Sequence, residues 1–200
     1  MPYKELLSVV AIGLTLMAFF PYIRSIIRDE IQPHVFSWVI WGTTTFVVFL
    51  AQLEDNGGAG AWAIGVSGVI TIFIALLAYG KRADVTITKT DWAFFIAAMS
   101  SLLFWFLTST PLWAVVILTA VDVFGFGPTV RKAYAFPYSE PLLFFALVAA
   151  RNIIVIMALA HYSVTTVLFP AVVATACILL IVMMLYRRRV LAVSYASRQP

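Results

Sequence analysis

The chain has 200 residues, 63% of them apolar and 11% charged, with a mean hydropathy of +1.01 and a formal net charge of +4. This composition excludes an ordinary soluble domain and predicts an all-α integral membrane protein. The lone cysteine, Cys177, excludes an intramolecular disulfide, and the basic residues fall in short gaps between apolar stretches, which points to anionic headgroups rather than nucleic acid.

Seven apolar stretches follow in chain order, near residues 5–23, 35–53, 62–80, 91–109, 111–130, 142–162 and 163–186. As a helix, each is long enough to cross about 30 Å of hydrocarbon. The first stretch lacks a small-residue cleavage site and reads as a retained helix, not a signal peptide. Counting the gaps alternately puts Arg24, Arg28, Lys81, Arg82, Lys89, Arg131, Lys132, Arg187, Arg188, Arg189 and Arg198 on one side and Lys4 alone on the other. The remaining basic residue, Arg151, lies inside the sixth stretch. The positive-inside rule then predicts a multi-pass protein of the cell (inner) membrane, N-terminus outside and C-terminus in the cytoplasm.

The two halves of the chain resemble each other. FFPYIRSIIRDEIQPHVFSW pairs with FGPTVRKAYAFPYSEPLLFF, which aligns Pro21 with Pro128, Arg24 with Arg131, Pro33 with Pro141 and Phe36 with Phe144. Tyr79 and Tyr186 continue the same offset of 107–108 residues. A three-span unit ends on the opposite side from its start, so a same-orientation repeat needs one extra span. The fourth stretch supplies it. The predicted plan is 3+1+3: residues 1–80 as the first repeat, 81–110 as a linker helix, 111–189 as the second repeat, and 190–200 as a cytoplasmic tail.

With that plan and Pro21, Pro33, Pro128 and Pro141 at matching places, the chain resembles the SWEET and PQ-loop transporter superfamily, specifically an uncharacterised bacterial-type branch. The resemblance implies alternating-access transport between two three-helix bundles, with the four prolines at hinges or gates. Tyr22 and Thr129 stand where PQ-loop members carry glutamine. The third and seventh stretches contain none of the asparagines that sugar-carrying members use there.

The residues themselves add a site. Asp122 and Arg151 are ionisable groups near the middle of the fifth and sixth stretches, where each costs several kcal/mol unless paired or hydrated. Consecutive antiparallel spans would hold them at similar depth. Thr119 lies one turn before Asp122, and Asn152 follows Arg151. The offset maps Asp122, Arg151 and Asn152 onto Thr15, Thr43 and Thr44, giving a predicted substrate-binding belt from both halves. The bland alternative is a structural ion pair that staples the fifth and sixth spans. Trp41 is deep enough to wall a pocket, whereas Trp38, Trp62, Trp92 and Trp113 read as interface anchors. Pro21 and Pro128 read either as hinges of a cytoplasmic gate or as plain helix ends; Pro33 and Pro141 read as helix starters. Gln52, Glu54 and Asp55 cluster at the outer end of the second stretch and read as a solvated loop, with an outer gate as the alternative. His34 and His161 fall at opposite faces and read as hydrated.

No Cys or His cluster suggests a metal, and no phosphate-cradling glycine loop or catalytic triad is present. The expectation is therefore a transporter without cofactor or covalent chemistry. It would move a small polar solute (sugar, amino acid or small carboxylate), with a zwitterion or carboxylate suiting an Asp–Arg pair better than a sugar. The alternative is a receptor or assembly subunit of the same fold. The lipid bilayer and a second copy of the chain are the other candidate partners.

Overall fold

A chain this apolar satisfies its backbone within its own helices wherever water is excluded. The computed structural model describes residues 2–30, 33, 35–81, 89–138 and 141–196. Seven α-helices run through them: α1 (Pro2–Ile27), α2 (Val35–Glu54), α3 (Ala59–Gly80), α4 (Lys89–Thr108), α5 (Pro111–Ala135), α6 (Leu142–Ala158) and α7 (Val164–Ala196). No strand occurs among the described residues. His34, Arg82 and Arg198 lie outside the described residues, as do the side chains of Pro128, Arg131 and Lys132.

Four helices are long and apolar enough to cross a membrane: Pro2–Ile27, Val35–Glu54, Ala59–Gly80 and Val164–Leu191. Three shorter apolar segments, Phe95–Thr108, Pro111–Gly127 and Leu142–Ala158, accompany them. Large apolar side chains cover the outside, with Phe106 81% and Leu143 71% exposed. The interior is rich in small residues such as Ala11, Ala51, Ala61, Ala63 and Ala149. That inversion is how membrane helices pack, since lipid gives no hydrophobic drive between them and close backbone approach must supply the contact. Trp62, Trp92 and Trp113 are half-exposed at the starts of α3, α4 and α5, as interface anchors would be.

Local chemistry sets the helix ends. After α1, Asp29 takes φ 58°, while Glu30 N–H donates to Ser25 and Asp29 N–H donates to Ile26. After α2, Asn56 takes φ 58°, and Gly57 and Asn56 donate to Gln52 and Leu53 in the same pattern. Both ends are Schellman motifs, and Asp and Asn are the side chains that best tolerate the left-handed position after Gly. Two boundaries differ from the sequence expectation. The sixth stretch leaves the helix at Leu159 rather than near residue 162, because Ala160 N–H turns to the carbonyl of Gly57. α7 continues to Ala196, through the first residues of the expected tail, because Arg187, Arg188 and Arg189 are good helix formers and no Gly or Pro lies between them and Ala196. Pro21 lies inside α1, which runs on past it, so the plain helix-end reading of Pro21 is wrong. Pro141 caps the start of α6, and Pro33 stands two residues before α2.

The neighbour relations are regular. α3 packs on both α1 and α2, and α7 packs on both α5 and α6. α1 lies against α6 and α2 against α5, which closes the six helices into a ring, while α4 leans on α5 and α2. α5 and α6 do not pack along each other, since α7 stands between them. The expectation that Asp122 and Arg151 sit on adjacent helices is therefore corrected. Tight passages depend on glycine: a Cβ on Gly42 would lie 2.7 Å from Ile72 Cγ1 and 3.0 Å from the Ile72 nitrogen, where α2 crosses α3.

Candidate functional site

Asp122 on α5 and Arg151 on α6 are both buried, 9% and 5% exposed, and they are the charged side chains in the buried interior among the described residues. They lie within electrostatic reach of each other and of Cys177 on α7. Even so, no ion pair within 4.0 Å joins them. The stapled pair allowed by the sequence is absent in this form.

Arg151 is left short of partners. Its Nη2 donates to Asn152 Oδ1 at 3.2 Å, and Asn152 Nδ2 in turn donates to the Val148 carbonyl at 2.9 Å. Its Nε and Nη1 are buried and meet no acceptor. The Thr119 hydroxyl, one turn before Asp122, is also buried without a partner. An unmet donor in a low-dielectric interior forfeits its hydration, about 1–3 kcal/mol for a neutral group and more for a charged one. Buried unmet atoms of this kind point to something else that fills the space beside them.

The first-half threonines are placed differently. Thr15 is buried and donates to the Ala11 carbonyl at 2.8 Å, and Thr44 is buried and donates to the Trp41 carbonyl at 3.0 Å. Thr43 is half-buried. None shares a hydrogen bond with Asp122, Arg151 or Asn152. Back-bonded in this way, the hydroxyls of Thr15 and Thr44 can offer lone pairs but no free proton. Trp41 is half-buried where α2 meets α5, and its Nε1 lies 3.0 Å from where a Gly125 Cβ would stand. Gly125 thus makes room for the indole. Trp41 packs edge-on against Trp38 at 5.6 Å, and Trp38 continues to Phe19 and Tyr22 of α1. Phe19 also meets Phe144 of α6 at 5.9 Å, so an aromatic plug spans α1, α2 and α6. Trp38 is 8% exposed and belongs to this plug; its anchor reading is corrected.

The opposite end of the ring carries an arrangement that sequence reasoning missed. The loop after α2 and the loop after α6 are clasped together. Ser163 Oγ donates to the Asp55 carboxylate, and His161 Nδ1 lies 3.1 Å from the Asp55 carbonyl. Gln52 Nε2 donates to the Thr166 carbonyl at 2.8 Å, and Ala160 N–H donates to that of Gly57 at 2.9 Å. Gly60 fits so closely that a Cβ would lie 2.8 Å from the Val155 oxygen and the Leu159 nitrogen. Lys4 adds a bond to the Leu159 carbonyl at the end of α6. Gln52 is fully buried, with its Oε1 unpartnered, rather than part of a solvated loop. Only the clustering of Gln52, Asp55 and the nearby glycines hinted at this, and a hydrated turn has the same composition.

An apolar groove of about 330 Å³ opens on another face, lined by Leu16, Phe46, Phe49, Trp62, Val66 and Val69 among others. It offers no polar group and lies apart from Asp122 and Arg151, so it is not the site. Among the described residues, no cluster of three His, Cys, Asp or Glu could hold a metal. No protein-family model, curated protein or solved structure matches the chain.

Proposed function

We propose that the protein is a seven-span membrane transporter of SWEET and PQ-loop type, moving a small polar solute between two three-helix units by alternating access. The observation that carries this reading is a buried guanidinium with two unpartnered nitrogens in a ring of two like-ordered helix triplets. In the first triplet α3 lies between α1 and α2; in the second α7 lies between α5 and α6. That order supports a 3+1+3 plan, with α4 as the linker and the triplets related about an axis along the membrane normal. The basic bias supports an outside N-terminus and an inside C-terminus.

In this reading the Asp55 clasp is an outer gate in its closed state. Opening it separates the loops after α2 and α6, while α3 and α7 carry their triplets as units. Pro21 and Pro128 remain the proposed places where the cytoplasmic ends bend, since proline removes one helical hydrogen bond. Asp122, Arg151, Asn152 and Thr119 hold the solute from one triplet, and Thr15, Thr43, Thr44 and Trp41 complete the wall from the other.

Reconstitution tests the proposal. Purified protein in liposomes is expected to accelerate entry of at least one radiolabelled solute from a panel of amino acids, short carboxylates and sugars, saturably and above empty liposomes. Binding without entry for every solute would instead favour the receptor reading.

A further inference from the structure

Resting on the transporter reading, the site's chemistry narrows the solute further. We infer that it is a small zwitterion, whose carboxylate meets Arg151 and whose ammonium meets Asp122. The argument is one of satisfaction and charge balance. Asp122 and Arg151 place one acidic and one basic side chain in an interior that screens charge poorly. They do not neutralise each other by contact, and Arg151 keeps free donors on Nε and Nη1. A carboxylate is the acceptor that a guanidinium fork suits best, through two parallel charge-assisted bonds.

The competing ligands leave something unmet. A monocarboxylate would satisfy Arg151 but bring a second anion beside Asp122, and like charges are costly at low dielectric. A simple ammonium would satisfy Asp122 and leave the guanidinium donors empty. A neutral sugar has hydroxyls to offer both groups but forgoes the charge-assisted bonds. A molecule with both charges fills both positions and leaves the interior neutral. Thr119, with its hydroxyl unpartnered on the Asp122 face, can accept or donate one further bond.

The test uses the full chain in nanodiscs, with melting temperature and equilibrium dialysis as readouts. The probes are glycine, alanine, serine and proline as zwitterions, with propionate, ethylamine and glucose as controls. At least one zwitterion is expected to bind saturably and raise the melting temperature, and the three controls to have no effect at equal concentration. Arg151→Gln and Asp122→Asn should each weaken that binding by more than about thirtyfold, the usual result of truncating one partner of a buried charge pair. If a variant does not fold, the wild-type comparison alone decides. Equal effects of propionate or glucose overturn the inference, as does a wild-type protein that binds none of the zwitterions. Zwitterion binding without liposome uptake sinks the transport reading and leaves this inference standing. Uptake of glucose with no response to zwitterions does the reverse.

Discussion

Lys81 Nζ donates to the carbonyl of Ile27 at 3.0 Å, so the end of α3 caps the end of α1. The second half contains a counterpart: Arg187 Nε donates to the carbonyl of Tyr134 at 3.1 Å, from α7 to the end of α5. The two acceptors are 107 positions apart, the offset already visible in the sequence. In each case a cation answers the orphan carbonyls and the negative pole at a helix C-terminus. Arg187 also stacks over the Tyr134 ring at 4.2 Å, and Lys81 reaches Asp29 at 3.0 Å. α3 is thereby tied to the end of α1, and α7 to the end of α5.

Breaking these ties should weaken the fold additively. Lys81→Ala is expected to cost about 0.5 kcal/mol, because the group is partly exposed and screened. Arg187→Ala should cost about 1 kcal/mol, since it also loses the ring stack. The two sites share no partner, so the double variant should show the sum in a thermal melt. A double variant as stable as wild type would contradict the capping role.

Gly60 provides a steric test of the passage between α3 and α6. Gly60→Ala puts a methyl 2.8 Å from the Val155 oxygen, so backbone must shift. Overpacking of this kind costs about 1–3 kcal/mol, a lowered melting temperature that Gly13→Ala, which meets nothing within 4 Å, should not reproduce. Equal effects at the two positions would show the passage to be looser than described.

The clasp can be tested at Gln52. Gln52→Leu removes one hydrogen bond, about 1 kcal/mol, but it also removes a buried oxygen that has no partner. It also strands the Thr166 carbonyl, because Pro170, four residues on, has no N–H to donate, so the melting temperature should fall modestly. If the clasp gates the outer face, the variant should still change the rate of solute entry. An unchanged rate would make Gln52 a packing residue and nothing more.

Topology has its own measurement. Glu54→Cys should react with a membrane-impermeant maleimide on intact cells, whereas Arg189→Cys should react only after permeabilisation. Cys177 is buried and supplies little background. Labelling of residue 189 from outside would reverse the proposed orientation.

The sequence revealed the helices but not their arrangement. Apolar length alone located α2 and α5 to within a few residues. It could not place α7 between α5 and α6, because helices that are apolar all round carry no stripe that names their neighbours. Asp122 and Arg151 stood out for the opposite reason, as charges with no cheap place in lipid. The clasp stayed hidden because Gln52, Asp55 and Ser163 are the same residues a hydrated turn would use. Pro170 lies inside α7 without ending it. The back-bonding of Thr15 and Thr44 depends on rotamers that no spacing argument reveals.

The central claim is that Asp122 and Arg151 hold solute rather than staple the fold. The most direct measurement compares Asp122→Asn, Arg151→Gln and the double variant for uptake of the solute that wild type carries, alongside their melting temperatures. Each single variant leaves one buried charge without the opposite charge within electrostatic reach and should lower the melting temperature. The double variant removes both charges and should recover most of that loss. The account predicts a folded double variant that carries no solute. A folded double variant with full uptake would contradict it.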